Sequence, residues 1–160
     1  MPLTETVGDI LRDPFTVRFH WANCVSHEAK GFSHVFFETF PHANCYPSRA
    51  ERGRDKPGTL CAVGNGSPEQ PFIVSFFAQT YPGPSKWDND SNEKRLEWFR
   101  QGLEQLTQVP LFRYPETTVG IPYHMCGSEL WPQVYEVLQA WANLMPCQVV
   151  VVRWEQFQHA

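Results

Sequence analysis

The chain contains no long hydrophobic run. Its longest apolar stretches cover only a few residues, as in the valines at 149–152, whereas a membrane-spanning helix needs roughly 20 apolar residues. The opening residues, Met-Pro-Leu-Thr-Glu, include neither the basic segment nor the apolar stretch of a secretory signal. We therefore expect a cytoplasmic protein that has no membrane partner.

Basic charge and paired cysteines are also scarce. The 13 basic residues are outnumbered by 17 acidic ones, which gives a net charge of −4 and disfavours binding to duplex nucleic acid, because such binding neutralises many phosphates. We interpret the one locally basic run, residues 49–56, as a solvated loop. The five cysteines are odd in number and form no Cys-x-x-Cys pair, so we predict reduced thiols and no bound metal or cofactor.

The 160 residues do contain an alternation of strand and helix patterns, with a hydrophobic share of 42%. The strand candidates are short apolar or β-branched runs at 15–20, 58–63, 71–78, 117–122 and 148–152. The helix candidates carry apolar residues at steps of three and four, at 32–40, 90–106 and 132–145. This order predicts an α/β fold with a mixed sheet and helices on both faces. Ligands of such sheets bind beyond the carboxyl ends of the strands.

Local signals define some of the connections. The glycine-rich residues 64–68 predict a turn that joins the second and third strands into a hairpin. Asp90, with Glu93 three residues later, predicts the capped start of a helix. We expect residues 42–57, which are rich in proline, arginine and glycine, to form an irregular surface segment.

Three polar positions in the first part of the chain suit a nucleotide. Asp9 follows Gly8, Asn23 lies where the first predicted strand gives way to a loop, and Gly31 precedes a predicted helix. A carboxylate accepts from an exocyclic amine, an amide bonds a sugar hydroxyl, and free backbone N–H groups at a helix start hold phosphate. The residues alone leave two alternatives open, because Asp9 also suits an N-cap and Asn23 a turn closed through its own backbone.

The order of these residues resembles the macro domain family, through Gly8-Asp9-Ile10, Ala22-Asn23, the loop at Gly31 and residues 121–131. The resemblance implies one three-layer α/β/α domain with a mixed central sheet over 1–160. It also implies binding of ADP-ribose or a related nucleotide, with an ADP-ribosylated protein as a partner. Because some branches of the family are hydrolases, the resemblance also implies possible hydrolysis of ADP-ribosyl groups or of ADP-ribose 1''-phosphate. The ligand-binding positions that it implies are Asp9, Ile10, Asn23, Lys30, Gly31, Cys126, Gly127 and Ser128.

Two loops depart from the family pattern. Ala29 and Lys30 stand where macro domains usually have glycines, which adds Cβ atoms where a phosphate would approach. Leu130 precedes Trp131 where many hydrolytic members have an aspartate. Glu129 is then the nearest carboxylate, and with Asn23 it forms the candidate catalytic pair, although Glu129 also suits the first turn of a helix. The alternative function is a binding module of the same fold that has lost hydrolysis.

Histidines and cysteines suggest two further possibilities. A metal-dependent enzyme would need four ligands to converge from a set whose spacings match no tight knuckle: His20, Cys24, His27, His34, His42 and Cys45. His124 and Cys126 would share a face and form a thiolate–imidazole pair if the preceding strand extended that far.

Overall fold

The computed structural model describes residues 1–154, so residues 155–160 of the predicted domain lie outside the described residues. The strands are β1 (Thr4–Gly8), β2 (Val17–Asn23), β3 (Leu60–Val63), β4 (Phe72–Gln79), β5 (Thr118–Pro122) and β6 (Gln148–Trp154). The helices are α1 (Phe32–Thr39), α2 (Arg49–Arg52), α3 (Asn92–Thr107) and α4 (Trp131–Leu144). Within residues 1–154, no helix is long and apolar enough to cross a membrane.

The six strands form one mixed sheet in the order β1-β6-β5-β2-β4-β3. Every neighbouring pair is parallel except β3 and β4. The carboxyl ends of β1, β6, β5, β2 and β4 therefore lie along one edge of the sheet. The loops that follow these strands are the segments that can line a common cleft.

The predicted hairpin of β3 and β4 is confirmed. Leu60 lies opposite Phe76 and Val63 opposite Ile73 in an antiparallel register. The turn requires glycine at Gly64, which has a φ of 126° and whose added Cβ would lie 2.3 Å from the carbonyl oxygen of Pro71.

Helices cover both faces of the sheet, as the three-layer α/β/α prediction states. The central strand β2 is buried along its whole length, and its side chains alternate between two cores. Phe19 and Trp21 pack in the core that holds α3 and α4, with Phe99, Leu103, Val134, Leu138 and Trp141. Ala22 packs on the opposite face with Phe36, Phe37 and Phe40 of the α1 region.

Three local predictions are corrected by the structure. The first strand of the chain is β1, an edge strand with four exposed residues and therefore no hydrophobic alternation in its sequence. Helix α3 is capped by Ser91, whose Oγ accepts from the Lys94 N–H at 3.2 Å, while Asp90 is buried beneath it. Part of the expected irregular segment forms α2, and Arg49 at its start is buried rather than solvated.

Candidate functional site

Three adjoining pockets form a cleft at the carboxyl edge of the sheet. The apolar pocket, of about 550 Å³, is lined by Ile10, Phe32, Val35, Tyr123, Val152 and Trp154. The polar pocket, of about 320 Å³, is lined by Asn23, Ser26, Glu28, Lys30, Ser33 and Gln79. The side pocket, of about 430 Å³, is lined by Asn92, Arg95, Cys126, Gly127, Ser128 and Glu129. Met125 borders the first two pockets, and Gln79 borders the last two, so the three pockets lie side by side along this edge.

The apolar pocket has an aromatic wall. The rings of Phe32 and Trp154 meet edge to face, with their centroids 6.2 Å apart, and Ile10 is fully buried. Val35 on α1 is 40% exposed and contributes an open apolar surface. Such a surface suits one face of a flat, weakly polar ring system.

Asp9 precedes this pocket on the turn after β1. Its Oδ1 accepts from the Leu11 N–H at 2.9 Å, which is the capping contact that the sequence allows. Its Oδ2 lies 3.6 Å from Nε of Arg12, a largely exposed side chain. The carboxylate therefore stabilises its own turn through Oδ1, and its Oδ2 forms only a long contact with an exposed arginine.

Asn23 lines the polar pocket, and hydrogen bonds fix the orientation of its carboxamide. Oδ1 accepts from the N–H groups of Val25 at 3.0 Å and Ser26 at 2.8 Å, which closes the turn after β2. Nη1 of Arg49 lies 3.4 Å from the same oxygen. Among residues 1–154, Nδ2 of Asn23 has no hydrogen-bond partner, so this amide group is left to donate into the pocket.

Arg49 anchors the loop that carries Asn23. Its side chain is fully buried; it donates to the carbonyl oxygens of Asn23 and Ser26 and pairs with Asp55 at 2.8 Å. The guanidinium carbon lies 4.2 Å from the ring centroid of Tyr46, whose hydroxyl accepts from the Asn23 N–H at 3.1 Å. Burial raises the pKa of Asp55, but hydrogen bonds from Arg52 and Arg49 outweigh it and hold that pKa below its usual value. The pair is therefore ionised and fixes the loop.

Two glycines with positive φ lie in the loops of this region: Gly127 lines the side pocket, and Gly31 precedes α1. Gly31 and Gly127 have φ angles of 60° and 90°, and a Cβ built on either would meet nothing within 4 Å. The space beside both backbones is therefore open, despite the two residues that replace glycine before Gly31. Lys30 lines the polar pocket and is exposed, so its ammonium group can reach an anion there.

Most of the chain is similar in structure to solved macrodomains. No protein-family model and no curated protein matches the sequence. The macrodomain of Thermus aquaticus DarG is similar over 94% of this chain and 97% of its own, with 22% identity and a TM-score of 0.70. That of Mycobacterium tuberculosis DarG covers 94% and 96%, with 21% identity and a TM-score of 0.67. A glycine-to-valine variant of the Oceanobacillus iheyensis macrodomain with ADPR covers 94% and 83%, with 16% identity and a TM-score of 0.62. The chain has the macrodomain fold.

The loop after β5 brings Cys126, Gly127 and Ser128 to the side pocket. Glu129 lies there too, two residues before α4 rather than in its first turn, and its Oε1 accepts from Nδ2 of Asn92 at 3.1 Å. The loop therefore presents one exposed carboxylate, already hydrogen-bonded, on the far side of the side pocket.

The structure excludes the thiolate–imidazole pair that the sequence left as an alternative. Strand β5 ends at Pro122, so His124 and Cys126 do not share a strand face. His124 instead adopts a φ of 58° and stacks on Tyr123 with centroids 3.7 Å apart. Burial raises the pKa of Cys126 to about 12, which makes it a poor nucleophile.

The proposed metal ligands do not converge. Within residues 1–154, no group of three or more His, Cys, Asp or Glu side chains is placed to hold a metal ion. His20 instead lies fully buried, stacked on Phe36 with centroids 4.8 Å apart. Burial raises the pKa of Cys24 to about 12, so that thiol is also protonated.

Gln79 is a cleft residue that the sequence did not single out. It ends β4 beside Asn23 at the end of β2. Its Oε1 accepts from Nε1 of Trp21 at 2.6 Å, and its Nε2 donates to the Tyr81 carbonyl at 2.8 Å. The rule that ligands sit beyond the carboxyl ends of parallel strands could have identified Gln79, had it been applied to β4 as well as β2.

The buried pair Asp90–Arg95 holds the loop after β4. Asp90 accepts from the N–H groups of Thr80 at 2.9 Å and Tyr81 at 3.1 Å, and pairs with Arg95 at 2.6 Å. Burial raises the pKa of Asp90, but the hydrogen bonds from Arg95 and the two N–H groups outweigh it and hold that pKa below its usual value. The loop that borders the polar and side pockets is thereby fixed by a charged contact.

Proposed function

We propose that this macrodomain binds ADP-ribose, free or as an ADP-ribosyl group on a protein. The adenine occupies the apolar pocket, the distal ribose lies at Asn23, and the diphosphate crosses between the loops of Gly31 and Gly127. The observation that carries the proposal is the adjacency of an aromatic apolar pocket and a polar pocket, which share Met125 as a lining residue. The similar Oceanobacillus iheyensis macrodomain variant, solved with ADPR, supports the same ligand.

The chemistry of each part of the cleft matches one part of this ligand. The rings of Phe32 and Trp154 offer apolar contact to adenine, and the weakly engaged Oδ2 of Asp9 can accept from its exocyclic amine. The free amide of Asn23 can donate to a ribose oxygen. Lys30 and the carboxylate of Glu28 both line the polar pocket. The ammonium group of Lys30 supplies the positive charge that attracts the diphosphate.

Calorimetric titration with ADP-ribose tests this proposal. We expect saturable one-to-one binding to the wild-type protein. Val35→Glu places a carboxylate on the adenine wall and should weaken binding at least tenfold, because a charge must then be buried beside an apolar ring. Val109→Glu is the matched control, since Val109 is 38% exposed and Val35 is 40% exposed, but Val109 lies outside the cleft. A folded wild-type sample that takes up no ADP-ribose would refute the proposal.

A second candidate function is hydrolysis at the distal ribose, either of an ADP-ribosyl ester or of the 1''-phosphate. Two carboxylates support it, because Glu28 lines the polar pocket and Glu129 lines the side pocket. A carboxylate within reach of a bound water can act as its general base. The hydrogen bond from Asn92 to Glu129 and the presence of Leu130 before α4 favour binding without turnover instead.

Product release distinguishes these functions. ADP-ribose release from an ADP-ribosylated protein, and phosphate release from ADP-ribose 1''-phosphate, are measured for wild type, Glu28→Gln, Glu129→Gln and the double variant. Turnover that is lost with Glu129→Gln assigns the base to Glu129, and loss with Glu28→Gln assigns it to Glu28. Turnover that survives in the double variant rules out both carboxylates. Binding without turnover in the wild type identifies a binding module.

A further inference from the structure

His20 links a buried serine to a serine of the cleft. Its Nδ1 lies 3.3 Å from Oγ of Ser75, and its Nε2 lies 3.0 Å from Oγ of Ser33. Ser75 is buried in β4, whereas Ser33 on the first turn of α1 is half-buried and lines the polar pocket. Burial lowers the pKa of His20 to about 3, so the ring is neutral and has one donor and one acceptor nitrogen.

The hydrogen bonds of the two serine hydroxyls determine which nitrogen of His20 carries the proton. Ser75 is 1% exposed, and among residues 1–154 the only hydrogen-bond partner of its hydroxyl is Nδ1 of His20. If Nδ1 carried the proton, the buried Ser75 hydroxyl proton would have no acceptor, which is costly. The opposite tautomer satisfies every group, since Ser75 donates to Nδ1 and Nε2–H donates to Ser33. The hydroxyl proton of Ser33 is then free to bond water or a ligand in the pocket.

We propose that His20 fixes Ser33 as a hydrogen-bond donor to a phosphate oxygen of the bound ligand. This inference rests on the proposed function and adds a ligand contact at Ser33, with His20 as its positioning residue. Because Nε2–H occupies one lone pair of the Ser33 oxygen, the hydroxyl keeps its own proton and can donate it into the pocket. A donor is what an anionic oxygen requires, and Lys30 lines the same pocket. The positive charge of Lys30 favours an anionic phosphate oxygen over a neutral ribose oxygen as the acceptor.

The tautomer is measured directly by long-range ¹H–¹⁵N correlation of the imidazole in the ligand-free protein. We expect His20 to be neutral with the proton on Nε2, at a pH of about 5 to 8. A proton on Nδ1 would overturn the inference. This measurement needs no ligand, so its outcome is independent of the proposed function.

The contact is measured by titrating Ser33→Ala with ADP-ribose and with adenosine. We expect about a tenfold loss of ADP-ribose affinity and unchanged adenosine affinity, because adenosine has no phosphate. The exposed serine variant Ser48→Ala should bind both like wild type. Equal ADP-ribose affinity in Ser33→Ala and wild type would overturn the contact.

Inorganic pyrophosphate separates this inference from the proposed function. If wild type does not bind ADP-ribose, the proposed function fails. Pyrophosphate titrated into ¹⁵N-labelled protein then tests the contact alone. A saturable shift of the Ser33 amide, with weaker pyrophosphate binding in Ser33→Ala, supports the inference, and no shift overturns it.

Discussion

Arg49 holds Asn23 through both its main chain and its side chain. The guanidinium donates to the carbonyl oxygen of Asn23 and lies 3.4 Å from its Oδ1. The opposite side of the guanidinium pairs with Asp55. A charge that is buried so completely must be paired to be tolerated. The contacts that stabilise the buried charge of Arg49 also fix the direction in which the Asn23 amide donates.

Removal of Arg49 should unfold the loop around Asn23. We expect Arg49→Met to lower the free energy of unfolding by about 3 to 5 kcal/mol, because Asp55 and the carbonyl of Asn23 then lose a buried charged partner. Arg52→Met is the matched control. Arg52 also pairs with Asp55, but its side chain is 37% exposed, so its loss should cost no more than about 1 kcal/mol. Urea denaturation measures both values, and equal losses would contradict the anchoring role of Arg49.

Asn23→Asp separates the structural role of Asn23 from its ligand contact. The carboxylate keeps an oxygen for the N–H groups of Val25 and Ser26 and faces Arg49, so the melting temperature should stay near that of wild type. The amide donor is lost, so ADP-ribose affinity should fall about tenfold or more. Differential scanning calorimetry and titration check the two halves. Full affinity in a folded Asn23→Asp protein would show that Nδ2 does not contact the ligand.

His20 should make stability depend on pH in mild acid. The unfolded chain takes up a proton on this residue near pH 6.5, whereas the folded protein does so only near pH 3. The unfolded state thus binds more protons between these values, so stability is fully present above pH 6.5 and falls as the pH is lowered. His20→Gln should flatten this slope in urea denaturation from pH 7 to 4. A slope that persists in His20→Gln would contradict the assignment.

Asp90 should make the stability of the protein depend on pH in stronger acid than His20 does. Its pKa is held below the ordinary value of 3.8, so its contribution is present above that value and is lost as the pH falls through the lower folded-state pKa. Asp90→Asn should lower stability at pH 7, because Arg95 loses its buried partner. It should also show a shallower loss of stability below pH 4 than wild type. Unfolding curves at pH 7, 4 and 2.5 compare the two proteins, and parallel pH profiles would rule out Asp90 as the titrating group.

The order of elements could be predicted because it depends on local patterns. Helix α3 repeats apolar residues at helical spacing, and β2 alternates apolar and polar residues from Val17 to Trp21. The rule for carboxyl strand ends indicates the edge of the sheet at which Asn23 lies, because Asn23 follows a strand pattern. The exposed edge strand β1 has no such pattern, and only its pairing with β6 makes it a strand.

The residues that orient the ligand-facing side chains could not be predicted in the same way. Arg49 reaches Asn23 across 26 positions of the chain, and no local spacing distinguishes its buried guanidinium from the solvated arginines around it. The tautomer of His20 likewise depends on Ser75, which is 55 positions away. Such contacts are set by tertiary packing, so a single sequence shows the ligand-facing groups more readily than the groups that orient them.

A crystal structure of the protein soaked with ADP-ribose is the decisive test of nucleotide binding in this cleft. We predict adenine in the apolar pocket between Ile10 and Trp154, diphosphate beside Gly31 and Gly127, and the distal ribose within hydrogen-bond distance of Nδ2 of Asn23. An empty cleft at saturating ADP-ribose, or ADP-ribose bound elsewhere on the protein, would refute the proposed function.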